Sequence, residues 1–196
     1  MKFHWFLPTN GGDGRHVVSG GHGVAHGAAG RPASVPYLGQ VARSAEQLGF
    51  EAALTPTGAW CEDAWLTTAM LASLSERLKF LVAFRPGLIS PTLAAHQAAT
   101  FQRVSGGRLL LNVVTGGDSV EQRRFGDHLG HDQRYRRAAE YVGILKRLWA
   151  GERVTHEGEF FHVEDAYVNS PASLPEIYLG GSSDAAIEVE IGRAHV

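Results

Sequence analysis

A repeated alternation of short apolar runs with stretches of helical spacing constrains this chain more than any other feature. Residues 3–7, 50–55, 78–84, 109–114 and 177–179 are apolar runs of strand length. Between them, residues 36–48, 62–74, 91–104 and 132–149 carry apolar side chains at helical intervals. Gly49 stops the first of these helices, Glu62 and Asp63 suit the first turn of the second, and Pro91 suits the first turn of the third. A strand that returns to its own sheet through a helix runs parallel to its neighbour, so the expectation is a parallel sheet with helices outside it. Five such units fit either an open doubly wound sheet or part of a (β/α)8 barrel.

In a barrel, functional residues gather at the C-terminal ends of the strands. The polar residues of this chain cluster at those points: residues 8–10, 55–58, 85–86, 112–118 and 180–184. A closed eight-stranded barrel typically takes about 250 residues, and this chain of 196 is shorter. Two segments interrupt the alternation. Residues 9–35 are rich in Gly and His, lack an apolar period and read as a long loop after the first strand. Residues 152–168 alternate in polarity around Glu157-Gly158 and read as an inserted β-hairpin. The expected organisation is one partial barrel domain over residues 1–196.

Charge and composition exclude several partners. A net charge of -2 gives no electrostatic case for nucleic acid or an anionic membrane surface. The apolar runs fall far short of a bilayer span, and the start of the chain carries no secretory pattern. A single cysteine, Cys61, excludes an internal disulfide and fits a reducing cytoplasm.

Several residues stand out chemically. Ile177-Tyr-Leu-Gly-Gly-Ser-Ser-Asp184 reads as a strand, a tight turn and a helix start. Such a turn offers bare amide N–H groups and hydroxyls to a phosphate. The same residues also read as a plain Gly turn with Ser183 or Asp184 as helix cap. Arg85, at the end of the third strand, suits a sulfonate-like anion or a salt bridge at the rim. Cys61 precedes two acids, which disfavour a thiolate, so it reads as a small polarisable group lining a pocket or as a buried residue at a helix entry. His16, His22 and His26 lie in the Gly-rich loop without a second ligand set, and no metal site is expected. Arg123, Arg124, Arg134, Arg136 and Arg137 are interleaved with Asp127, Asp132 and Glu140, and read as a solvated helix face or subunit surface.

Taken in order, Phe6-Leu-Pro-Thr9, Pro56-Thr-Gly58, Cys61-Glu-Asp-Ala-Trp65, Arg77-Leu-Lys-Phe-Leu-Val82, Arg85-Pro86, Gln97-Ala-Ala-Thr100, Asn112-Val-Val-Thr-Gly116, Arg134-Tyr135 and Gly180-Gly-Ser-Ser-Asp184 form a specific set. The chain resembles the FMNH2-dependent alkanesulfonate monooxygenases of the bacterial luciferase-like superfamily, from the first strand to about Val189. The resemblance implies a (β/α)8 TIM barrel of the luciferase-like type, with about the first five β/α units here and an insertion hairpin. It implies a cytoplasmic enzyme that uses FMNH2 and O2 to cleave the C–S bond of an alkanesulfonate, giving aldehyde and sulfite. The implied partners are an NAD(P)H-dependent flavin reductase and further copies of the full-length chain. The implied cofactor contacts are Gly181, Ser182, Ser183 and Tyr135 at the FMN phosphate, Asn112 and Thr115 at the flavin, and an unusual peptide bond near Ala83 against its ring. Arg85 and Cys61 are expected on the substrate side. Two alternatives stand beside this reading: another FMN- or F420-dependent luciferase-like oxidoreductase, and a non-catalytic partial barrel that holds flavin.

Two features depart from the pattern. Asn10 stands where the sulfonate enzymes often carry a His, which leaves the organosulfur substrate open. The tail Ile191-Gly-Arg-Ala-His-Val196 reads either as translated sequencing adapter or as a genuine short end. On the first reading, the catalytic residues lie in a missing C-terminal half, and residues 1–196 alone are expected to be inactive and prone to aggregation through open sheet edges.

Overall fold

The computed structural model describes residues 1–11, 31–116, 118–171 and 173–180. Its elements are β1 (His4–Phe6), α1 (Val35–Gln47), β2 (Ala52–Thr55), α2 (Ala64–Ala72), β3 (Lys79–Phe84), α3 (Pro91–Ser105), β4 (Leu109–Val113), α4 (Ser119–Arg124), α5 (His131–Trp149), β5 (Val154–Glu157), β6 (His162–Ala166) and β7 (Glu176–Leu179). Five strands form one sheet in the order β1-β2-β3-β4-β7, and β5 and β6 form a separate antiparallel pair. This is a partial parallel β/α barrel with an inserted hairpin. The chain divides into two compact parts: Met1–Phe84 with Arg108–Leu111, and Arg85–Gly107 with Asn112–Val196.

In the first part, β1, β2 and β3 pair in parallel, with Ala52 opposite His4 and Lys79. Ala52, Ala53, Phe80 and Val82 are fully buried, as strands covered on both faces require. The helix starts follow from local chemistry. Ser34 caps α1 by accepting from the Tyr37 N–H, with Pro36 in the first turn. Asp63 caps α2 by accepting from the Leu66 N–H at 2.8 Å. Asp63 therefore stands just outside the helix, and α2 begins two residues after the expected Glu62. Before β3, the Glu46 carboxylate accepts three backbone N–H groups, from Glu76, Arg77 and Leu78. Partial burial opposes the charge on Glu46, but these hydrogen bonds and the Arg77 charge outweigh it and hold the carboxyl below its ordinary value.

In the second part, α3 packs on α5. Ser90 caps α3 through the Leu93 N–H at 3.1 Å, Pro91 opens it, and Gly106 closes it in the left-handed region at φ 70°. The buried face of α5 includes Ala138, Tyr141, Val142, Leu145, Leu148 and Trp149. The Trp149 indole donates to the Ala95 carbonyl at 3.0 Å, so its one polar atom is satisfied inside the apolar contact. Burial pushes the Tyr141 phenol well above its ordinary value, which keeps it protonated. The short α4, capped by Asp118 through the Val120 N–H at 2.8 Å, was not expected from the sequence.

Candidate functional site

The strand ends of the first part carry three of the polar positions singled out above. Thr9, after β1, is 1% exposed; its carbonyl accepts the Glu62 N–H at 3.0 Å, and its hydroxyl oxygen is buried with no partner among the described residues. Thr55, at the end of β2, accepts from the Thr68 hydroxyl at 2.9 Å, which ties that strand end to α2. Cys61 is half-buried, and its thiol donates to the Pro56 and Gly58 carbonyls at 3.6 and 3.5 Å. Those bonds hold the sulfur against the loop that follows β2. Ala83 is buried in β3, and every peptide bond among the described residues is trans, so the unusual bond expected near Ala83 is not seen.

In the second part, Arg85 follows β3 directly and is 6% exposed. Its Nη2 donates to Glu121 Oε2 of α4 at 2.6 Å, and its Cζ lies 5.3 Å from the Phe125 ring centre. The ion pair is buried on both sides, so the expected rim salt bridge is corrected to an interior one. Arg85 Nε and Nη1 are buried and have no hydrogen-bond partner among the described residues. A buried donor left unpaired costs free energy, so these two N–H groups are the most demanding feature of the site.

Asn112 and Thr115, both half-buried, lie at the end of β4 and just beyond it. The segment Thr115-Gly116 is held from two helices. Gln122 of α4 donates to the Thr115 carbonyl at 3.4 Å, and Arg134 of α5 donates to the Gly116 carbonyl at 3.2 Å and to the Leu129 carbonyl at 2.6 Å. Gly116 has φ 81°, and a Cβ there would stand 1.4 Å from Gln122 Nε2. Glycine is therefore required by backbone and by space at once. Gln122 Oε1 and Arg134 Nε are buried without partners among the described residues.

Tyr135 is 6% exposed, with its ring 5.0 Å from that of His131. Its neighbour Arg134 is buried, and Arg137 pairs with the buried Asp127 at 2.5 Å. Burial opposes the charge of Asp127, but the Arg137 hydrogen bond, the Leu129 N–H and the charges of Arg137 and Arg134 hold its carboxyl below the ordinary range. The solvated arginine face is thus corrected for Arg134 and Arg137, while Arg123, Arg124 and Arg136 are exposed. Next along α5, Glu140 accepts the Phe160 and Phe161 N–H groups at 3.1 and 2.9 Å and meets His156 Nε2 at 3.0 Å, which fixes the hairpin to the helix.

The structure thus links Thr115 and Arg134 through one carbonyl segment and Arg85 to α4. Gly181, Ser182 and Ser183 lie outside the described residues, as do His16, His22, His26 and the tail 191–196. Among the described residues, no group of three His, Cys, Asp or Glu side chains could hold a metal ion, and no helix is long and apolar enough to cross a membrane. Sequence reasoning missed Glu121 and Gln122. Their signal was the acid Asp118 followed three residues later by Glu121, a helix-start pattern too short to show a period.

Solved structures with the same fold include a riboflavin lyase (19% identity, TM-score 0.77, 96% of this chain and 52% of that one). The EDTA monooxygenase from Chelativorans sp. BNC1 matches at 20% identity and TM-score 0.77, over 95% of this chain and 50% of that one. An F420-dependent secondary alcohol dehydrogenase matches at 18% identity and TM-score 0.71, over 92% and 52%. The chain spans about half the length of these structures. The family model for luciferase-like monooxygenases matches residues 1–196, and the chain belongs to that family.

Proposed function

We propose that this chain supplies binding residues of a flavin-dependent oxidoreductase, taking FMN or the deazaflavin F420, and that its narrower activity is oxygen-dependent cleavage of an alkanesulfonate. The observation that carries the reading lies in the second part: the buried Nε and Nη1 of Arg85, just after β3, and the buried Oε1 of Gln122, beside the segment after β4, have no partner among the described residues. Buried polar groups are nearly always paired, and barrels of this kind work at the C-terminal ends of their strands. A polar ligand at those ends would satisfy these atoms, so the residues present fit a flavin with an anionic substrate.

When bound, the reduced flavin supplies the electrons that activate O2 or transfer hydride. The chain's own residues bind and orient. Asn112 and Thr115 would contact the ring system from the end of β4, and Arg134 would keep the Thr115-Gly116 segment in place by holding the Gly116 carbonyl. Tyr135 would reach the phosphate together with Gly181, Ser182 and Ser183. Within the first part, Ala83 would offer an apolar surface and Cys61 a small polarisable one. Arg85 would take the sulfonate through Nε and Nη1. The relatives include both oxygen-using and F420-dependent enzymes, which supports the broader reading and leaves the sulfonate reading resting on Arg85.

The test uses a complete barrel carrying this chain, an NAD(P)H-dependent flavin reductase and FMN, with sulfite release measured across alkanesulfonates. Sulfite formation that needs O2, FMN and Arg85 supports the narrower reading. NAD(P)H-independent turnover with F420, or substrate oxidation without sulfite, replaces it with the broader one.

A further inference from the structure

Arg85 does not offer a bare positive charge. Its Nη2 is already bound to Glu121 at 2.6 Å, and the two side chains are 5% and 10% exposed. The pair is formally neutral before any ligand arrives. Arg85 Nε and Nη1 remain buried and have no partner among the described residues. The Phe125 ring lies 5.3 Å from Arg85 Cζ and is 42% exposed, so an apolar surface adjoins the charge.

From this arrangement we infer that Glu121 acts as a specificity-determining residue, restricting the Arg85 site to organic monoanions and rejecting dianions of the same shape. The inference rests on the reading of Arg85 as the anion-binding residue. A monoanion with an alkyl tail matches what is present: one set of guanidinium donors for the head group and one aromatic face for the tail. A dianion gains a second unit of attraction to Arg85, but a second unit of repulsion from Glu121, just across the guanidinium, takes back part of that gain. Its desolvation cost, which rises with the square of the charge, is then only partly compensated. A phosphonate above its second ionisation would be excluded, and a sulfonate of equal chain length admitted.

The experiment is calorimetric titration of the 196-residue chain, without flavin, using pentanesulfonate and pentylphosphonate as probes. The sulfonate is expected to bind at least about tenfold more tightly than the phosphonate dianion, with the gap closing as pH falls and the phosphonate takes up a proton. Glu121→Gln keeps the shape and a hydrogen-bonding oxygen while removing the charge, and is expected to move the ratio toward the dianion by about tenfold or more. A role of Glu121 in folding alone would leave that ratio unchanged. Arg85→Met is expected to abolish binding of both probes. Equal or tighter binding of the phosphonate dianion, an unchanged ratio in Glu121→Gln, or no binding of either anion overturns the inference. If Glu121→Gln does not fold, the wild-type ratio and its pH response decide the matter. A parallel titration with FMN separates the two ideas: flavin binding without anion selectivity refutes this inference alone, and anion selectivity without flavin binding refutes the flavin reading alone.

Discussion

Replacing Gly116 by alanine tests how the segment after β4 is held. The new Cβ would lie 1.4 Å from Gln122 Nε2 and 2.6 Å from its Cδ, so the carboxamide has to leave. Gln122 is 1% exposed, which gives it nowhere cheap to go. Three costs follow. The left-handed backbone at φ 81° costs an alanine about 1–2 kcal/mol. The bond from Gln122 to the Thr115 carbonyl contributes about 1 kcal/mol, and a half-buried carbonyl left without its donor adds a comparable penalty. Gly116→Ala is therefore expected to destabilise the chain by about 3–4 kcal/mol. In the background of Gln122→Ala the clash is gone and the backbone cost of about 1–2 kcal/mol is left. Urea denaturation of the wild type, the two single variants and the double variant gives the coupling directly, and a value of about 2 kcal/mol is expected. Additivity within about 0.5 kcal/mol would show that the two residues do not meet and would refute the argument.

Other perturbations read neighbouring parts of the account. Asp127→Asn leaves the half-buried Arg137 charged without its carboxylate, so a loss of about 2–3 kcal/mol by urea denaturation is expected. The Asp127 carboxyl is depressed in the folded state, so its contribution is fully present above the unfolded value near about 4 and is lost as pH falls through the lower folded value. The variant should therefore show a flatter loss of stability on acidification than the wild type. Glu46→Gln removes a carboxylate that is depressed in the same direction and bound to three N–H groups. Allowing for solvent, it should cost about 1 kcal/mol at neutral pH, and the two proteins should converge once Glu46 is protonated. Gly158→Ala puts a Cβ 2.0 Å from Glu140 Oε1 and should release the hairpin tip, read as faster hydrogen exchange at the Phe160 and Phe161 amides with little change elsewhere.

What the sequence made legible follows from where local chemistry decides. Pro91 at the head of an apolar period marked the start of α3, and β3 and β4 were readable because a strand buried on both faces is continuously apolar. The six residues of α4 were too few to display a helical period, so Glu121 and Gln122 stayed hidden although both are buried. Arg134 and Arg137 were misread because charge on a helix ordinarily means solvent. Their partners, the Gly116 and Leu129 carbonyls and the Asp127 carboxylate, come from loops that only the fold brings to α5. The polar strand ends, by contrast, could be picked out in advance. Thr9, Arg85, Asn112 and Thr115 interrupt apolar runs at the points where a parallel barrel opens to its ligand.

The central claim is that the chain holds a flavin, and fluorescence titration of the chain with FMN, and separately with F420, tests it most directly. The account predicts saturable binding of one of the two, weakened about three- to tenfold in Tyr135→Phe through loss of a single hydrogen bond of about 1 kcal/mol. No saturable signal with either flavin, or binding indifferent to Tyr135→Phe and to the pair Ser182→Ala with Ser183→Ala, would contradict it.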